Sequence, residues 1–254
     1  MITGAAKRLG AVLARTFGEA GWHVIIHYGR SAREAEALAD SLPSAQAVHC
    51  DLSDGDASAK LVEVLATRLD DWRVLVNSAA VFRPDDVTGL DPQTYMRAMQ
   101  INALTPTRMA QAFLRSARAK GGRRVIQFTD QKIANPNPDF FSYTVSKHAL
   151  SGAIPMLAMG ATGPDDRVYG LAPGAILPSH DQTEDEIEAS HVLNPLERKT
   201  GAREVADAAL FLAAGHLANG ETLYIDSGQH LLNQPRDVIY LAREGAKNEE
   251  EARP

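Results

Sequence analysis

Short apolar, β-branched runs alternate with longer amphipathic segments along almost the whole chain. His23–Gly29, Gln46–Leu52, Arg73–Ala80, Arg123–Asp130, Arg167–Ile176 and Thr222–Gly228 read as strands, because Val, Ile, Leu and Ala follow one another with little polar interruption. Helical spacing of apolar positions runs through Leu9–Ala20, Ala32–Ser41, Asp56–Leu69, Thr94–Ala119, Tyr143–Gly160 and Arg203–Ala214. Strands separated by long crossovers predict an α/β protein, a doubly wound parallel sheet with helices on both faces. Strands buried on both sides need the continuous apolar character seen here. Pro155 falls inside a predicted helix and should kink it or mark a wrong boundary.

Two stretches break the alternation. Residues 175–200 are long, polar and acidic in the middle (Asp181–Glu188), which reads as a substrate lid. Residues 243–254 are charged and read as a frayed tail. Just before them, Asp237–Leu241 is apolar enough to pack on the core or on a neighbouring subunit. No repeat or linker divides the chain, so residues 1–254 form one expected domain. Only Met1 and Ile2 precede the first turn, although strands usually run roughly 5–6 residues. That shortage reads as a missing or misassigned N-terminus.

A length of 254 residues with 44% hydrophobic content supports one large core, and no apolar run reaches membrane-spanning length. The formal net charge of −6 argues against a general nucleic-acid binder. A single cysteine, Cys50, excludes an internal disulfide and fits a reducing cytoplasm. No signal peptide precedes the first motif. The eight histidines lack tight ligand spacing, so no metal is expected.

The candidate chemistry centres on Tyr143 and Lys147, four residues apart and so on one helix face. An adjacent ammonium should lower the phenol's pKa and suit it to deliver a proton during hydride transfer. Asp130 ends an apolar run upstream; it is either a catalytic carboxyl group or a turn and cap residue. At the start, Thr3-Gly4-Ala5-Ala6-Lys7-Arg8-Leu9-Gly10 has the glycines of a turn that places backbone N–H groups at a helix N-terminus, where a pyrophosphate binds. After the next strand, His27-Tyr28-Gly29-Arg30-Ser31 offers Arg30 and Ser31 where an acidic residue would read a ribose hydroxyl. With Lys7 and Arg8 they suit a 2′-phosphate, which points to NADPH. Asp51-Leu52 is an adenine contact or a plain turn. Asn77 and Ala79, in Asn77-Ser78-Ala79-Ala80, end the fourth expected strand with small residues beside the cofactor.

Together these motifs, with Asn102 and Pro173-Gly174, resemble the short-chain dehydrogenase/reductase family over essentially the whole chain. The resemblance implies a single-domain Rossmann-like sheet, a nicotinamide cofactor held also by Pro173 and Gly174, and a homotetramer. Asp130 stands where most members carry serine, and this, with the glycine turn and His27–Ser31, resembles pteridine reductases and bacterial dihydromonapterin reductases. That branch implies an NADPH-dependent reduction of a pterin C=N bond by Asp130, Tyr143 and Lys147. Asn102 would position a water, Phe82 would stack on the pterin, and Arg8 would lie near both cofactor phosphate and substrate. Ser78 and Ala80 replace the usual Asn and Gly, Tyr169 stands where Asn is customary, and Ser227 replaces a common glycine. The alternatives are an NADPH-dependent 3-oxoacyl-type carbonyl reductase and an NADPH-sensing binding protein.

Overall fold

Alternate residues of each strand face opposite ways, and here both faces are apolar. The computed structural model describes residues 1–161, 163–178 and 182–251. Its strands are β1 (Val24–Tyr28), β2 (Ala45–His49), β3 (Val74–Asn77), β4 (Arg124–Phe128), β5 (Arg167–Pro173) and β6 (Thr222–Ile225). Ile25, Leu75, Val125 and Val168 point to one side, where they meet Val62 and Leu65, Met109 and Phe113, and Ile154. Ile26, Val76, Ile126 and Tyr169 point to the other, where they meet Leu13 and Phe17, Leu38, and Val205 and Leu212. The first layer is formed by α3 (Gly55–Arg68), α5 (Thr105–Ser116) and α6 (Phe141–Gly160); the second by α1 (Arg8–Glu19), α2 (Ala32–Ser41) and α8 (Ala202–Ala214). Strand alternation thus accounts for the two half-cores.

All strand pairs are parallel: β1 with β2, and β3-β4-β5-β6 in sequence. Ile2 joins the two sets by bridging Ile26 on one side and Val76 on the other. Its N–H donates to the Ile25 carbonyl and its own carbonyl accepts from His27 N–H, at 2.9 and 3.1 Å. Met1 and Ile2 therefore do the work of a central strand, with the Met1 ammonium donating to the Val74 carbonyl at 3.0 Å. Burial pushes that ammonium down to about 5. The chain leaves this seam outward in both directions, which opens a crevice at the carboxyl ends of β1 and β3, the usual ligand position in such sheets.

Several expected boundaries shift. The helix expected over Thr94–Ala119 is broken into α4 (Pro92–Ala98), a π-helical segment Met99–Leu104, and α5. Pro155 does not end α6, which runs through it for 20 residues. The acidic stretch contains a short helix, α7 (Glu184–Ser190), started by a Thr183–Glu186 capping box. Residues 179–181 of the expected lid lie outside the described residues. The expected frayed tail is instead largely helix: α9 (Val238–Glu251) begins with Val238 and Ile239 buried against the core, and Arg243 pairs with Glu186 of α7 at 2.7 Å.

The turn into α1 is the tightest point. A Cβ on Gly10 would lie 2.3 Å from the Gly4 carbonyl oxygen. Gly10→Ala should lower unfolding free energy by about 1–3 kcal/mol in denaturant titration, the usual cost of overpacking; an unchanged midpoint would show that the turn can open without penalty.

Candidate active site

Gly4 has φ +65°, and a Cβ there would lie 3.0 Å from Ala79 Cβ. The turn and the Ala79 segment therefore approach backbone to backbone, and Ala79 N–H donates to Thr3 Oγ1 at 3.1 Å. Gly4 N–H donates to His27 Nδ1 at 3.2 Å, and His27 Nε2 lies 3.0 Å from the Cys50 carbonyl. Burial pushes His27 down to about 4, so its neutral ring accepts on one side and donates on the other. The glycine turn is thereby tied to the segment that follows β2. Sequence reasoning gave His27 no such part.

The cationic residues expected here divide. Lys7 pairs with Glu34 of α2 in solvent at 2.9 Å, which draws it away from the turn. Arg8 takes a left-handed φ of 53°, unfavourable outside glycine, and reaches across the crevice to the Pro178 carbonyl at 2.6 Å. Arg30 faces a separate polar basin of about 370 Å³ together with Arg83 and Arg97. None of these three guanidinium groups has an ion-pair partner among the described residues. Asp51 lies within their field: hydrogen bonds from Ser53 hold its carboxyl below the usual range, and Arg97 and Arg30 add to the effect. Its Oδ1 accepts from Ser53 N–H at 2.9 Å, so Asp51 braces this turn. Tyr28 packs against His49, and Ser31 heads α2 without spending its hydroxyl on a cap. The Leu52 carbonyl accepts from Thr105 Oγ1 at 2.9 Å.

Asn77 ends β3. Its side chain is buried away from the crevice, donating to the Pro106 carbonyl and Gln127 Oε1 at 3.1 and 3.0 Å. It locks β3 to β4 and α5, leaving only its backbone near the turn. Gly174, by contrast, is required for close packing, because a Cβ there would meet Asp226 Cβ at 2.7 Å. Pro173 and Gly174 line the catalytic cavity with Leu9.

That cavity has a volume of about 310 Å³, small-ligand size, and brings together Arg8, Phe82, Asp130, Tyr143 and Lys147. The Tyr143 hydroxyl donates to Asp130 Oδ2 at 2.7 Å, while Asp130 Oδ1 accepts from Lys132 N–H at 2.9 Å. Asp130 therefore caps a short turn with one oxygen and meets the phenol with the other. Lys147 Nζ donates to the Phe128 carbonyl at 2.6 Å and lies 5.5 Å from the Tyr143 ring centre. Burial pushes Lys147 down to about 8 and raises the Asp130 carboxyl. Burial, then the Asp130 charge, raise the Tyr143 phenol well above its ordinary value. The phenol is thus raised where a lowering by Lys147 was expected, because the site is buried, the carboxylate is the hydrogen-bonded neighbour and the ammonium is turned to a carbonyl.

The Asn102 side chain is bound within the protein. It sits on the π-helical segment, where its Nδ2 donates to the Val81 carbonyl and to Ser146 Oγ, and its Oδ1 accepts from Val81 N–H, at 2.9, 3.0 and 2.8 Å. Both its amide protons are thereby spent on the protein, fixing the strand-to-loop segment before Phe82 against α6.

Phe82 stacks on Phe140, centroids 4.0 Å apart, and meets Tyr143 edge-on at 4.7 Å. Phe140 takes a left-handed φ of 53° to lie there. Lys132 sits 4.9 Å over the Phe140 ring and forms a buried ion pair with Asp237 at 2.5 Å. Phe140, Lys132, Asp237 and His191 escaped sequence reasoning, since each joins the cavity only through tertiary packing.

The family model described as Enoyl-(Acyl carrier protein) reductase matches residues 4–230. Short-chain dehydrogenase reductase 5 of Arabidopsis thaliana is 31% identical over 90% of this chain and 92% of its own length. Pteridine reductase 1 of Leishmania tarentolae is 27% identical over 91% of this chain and 96% of its own. FolM Alternative dihydrofolate reductase 1 from Brucella suis, crystallised in complex with NADP, superposes with a TM-score of 0.85 at 31% identity, covering 91% of this chain and 94% of that one. With this fold and this Tyr143–Lys147 arrangement, the chain belongs to the short-chain dehydrogenase/reductase family.

Proposed function

We propose that this protein is an NADPH-dependent reductase of a C=N bond in a pterin or dihydrofolate-type ring. The observation that carries the reading is the Asp130 carboxyl 2.7 Å from the Tyr143 hydroxyl, in one cavity with Phe82. The similarity to proteins named pteridine reductase and alternative dihydrofolate reductase supports it.

The cofactor site fits a dinucleotide phosphate. Gly4 and Gly10 leave a cradle at the start of α1 that a Cβ would close, and Arg30, Arg83 and Arg97 offer unpaired donors to a 2′-phosphate. When bound, the nicotinamide supplies a hydride. Lys147 keeps one donor on the Phe128 carbonyl and has two others for ribose hydroxyls. Tyr143 is in its protonated, donating form at neutral pH, because burial and Asp130 hold its proton. Its hydroxyl proton passes to a substrate nitrogen in the cavity, and the resulting phenolate lies near the Lys147 ammonium. The Asp130 carboxyl, its pKa raised by burial, can pair with an N–H edge of the ring, so that the hydride and the one Tyr143 proton complete the reduction. Phe82 presents an aromatic face for a flat ring. The working form is read as a cytoplasmic homotetramer, supported by the exposed Met156 and Met159 on α6. Among the described residues, no helix is long and apolar enough to cross a membrane.

The decisive test measures NADPH oxidation with dihydrobiopterin, dihydrofolate and acetoacetyl thioester, for wild type, Asp130→Ser and Tyr143→Phe. Pterin turnover should be lost on Asp130→Ser, and Tyr143→Phe should lose roughly a hundred- to ten-thousand-fold in kcat while still binding NADPH. Thioester turnover that survives or rises in Asp130→Ser would move the protein to the ketone reductases. Arg30→Ala should raise KM for NADPH and leave that for NADH unmoved; an equal effect on both would remove the 2′-phosphate reading.

The pH dependence has a defined sign. Lys147, with its pKa pushed down to about 8, is an ammonium below that pH and a neutral amine above it. Because the ammonium is the binding form, kcat/KM for NADPH should fall as pH rises through about 8. A flat profile from neutral into the alkaline range would contradict this role.

A further inference from the structure

His191 is the C-cap of α7; the residue is 6% exposed and lines the same cavity as Asp130 and Tyr143. Its backbone is pinned. The N–H donates to the Ile187 carbonyl at 3.1 Å, and the carbonyl accepts from Asn194 Nδ2 at 2.9 Å. On either side, Ser190 Oγ accepts from Gln182 and the Leu193 carbonyl accepts from Gln234, at 3.2 and 2.9 Å. The imidazole itself has no hydrogen-bond partner among the described residues. Its ring nitrogens are not among the fully sequestered, unpartnered side-chain atoms, so they keep access to the cavity, where a polar group of a bound molecule can take their hydrogen bonds.

We propose that His191 is a substrate-reading residue, which hydrogen-bonds a neutral polar group, a carbonyl or ring N–H, on the edge of the flat ring held between Phe82 and the catalytic pair. The proposal rests on the ring-reductase reading above and deepens it. Burial, then Lys199, hold the imidazole below its usual pKa against the opposing pull of Glu188, so the ring is uncharged at neutral pH. An uncharged imidazole offers one donor and one acceptor and can match either partner by choice of tautomer. Asp130 and Asp237 also line the cavity, so a cationic His191 would serve an anionic substrate where this neutral one serves a polar, uncharged edge. The residue thus divides the labour. Asp130 and Tyr143 handle the proton at the reacting bond, and His191, at the end of α7, reads the ring elsewhere.

The test compares wild type, His191→Leu and His191→Gln, each assayed with dihydrobiopterin and acetoacetyl thioester and each followed by thermal unfolding. The expected result is a KM for dihydrobiopterin raised roughly three- to tenfold in His191→Leu, the worth of one hydrogen bond, and largely restored in His191→Gln, which keeps a neutral donor and acceptor. KM for NADPH and the unfolding midpoint should not move. Wild-type KM in His191→Leu, or equal losses in both variants with a lowered midpoint, would overturn the inference while leaving the pterin reading intact. A wild type that reduces only the thioester would overturn the pterin reading. In that case a His191→Leu effect on thioester KM, restored by Gln, would still uphold His191 as a reader of a neutral carbonyl. No turnover of either substrate would remove both.

Discussion

The seam at Ile2 is the constraint from which the crevice follows. One residue takes both neighbours of a central strand, with β1 on one side and β3 on the other. Immediately after it, Thr3 N–H donates to the Val76 carbonyl and Ala5 N–H to the His27 carbonyl, at 2.9 and 3.0 Å. The turn is thus stitched to both half-sheets before α1 begins. Gly4 lies against Ala79 because nothing larger fits, and His27 receives the Gly4 N–H from below. A phosphate-holding turn needs N–H groups that stay in place when an anion arrives, and here position is set by strand pairing and a neutral buried imidazole. Charge at the turn is secondary: Lys7 is committed to Glu34, and Arg8 to the lid segment.

Around the catalytic pair, low local polarity determines the protonation states. An ammonium beside a phenol stabilises phenolate only if it has no nearer acceptor and no carboxylate competes. Here Lys147 has the Phe128 carbonyl and Tyr143 has Asp130. The arrangement stores the proton on the phenol and keeps the lysine close to losing its own. A serine in place of Asp130 would remove the charge that raises the phenol, so the acid at this position changes the proton inventory of the site as well as its shape.

The strands and most helices were legible because their residues answer to local pattern, and the glycines because a turn allows few alternatives. Tyr143 and Lys147 were legible through their spacing taken together with the glycine turn, since the pair alone recurs in many helices. Their electrostatics were not, since these depend on where Asp130 and Phe128 lie across the fold. The π-helical segment has no periodic signature, and it is what turns Asn102 inward to Val81 and Ser146. Asn77 was readable as a small residue whose backbone comes close to the turn; its side-chain partners, Pro106 and Gln127, lie across the fold and leave no local signal. The helices α7 and α9 were missed because their acidic and charged stretches lack a long apolar face; they hold each other through Arg243 and Glu186, a contact between distant residues.

The aromatic wall shows how those unread parts serve the readable ones. Phe82 follows a loop, and a loop phenylalanine alone would have many rotamers to lose on meeting a flat ring. Phe140 supports it from behind at 4.0 Å, and its own unfavourable left-handed backbone places it there. Tyr240 of α9 continues the stack on Phe140 at 6.0 Å, with Arg236 4.8 Å over its ring, while Lys132 sits over Phe140. Arg236 pairs with Asp139 and Lys132 with Asp237, so each cation is anchored to an acid on a segment the other helps to hold. The Lys132–Asp237 pair is buried, and such a pair contributes little net stability, but losing one partner leaves a stranded charge. What the two pairs supply is register: the C-terminal segment can dock in only one position, and in that position Val238 and Ile239 close the cavity wall beside a Phe82 already oriented. Orientation obtained in advance leaves more of the binding energy for discrimination among substrates.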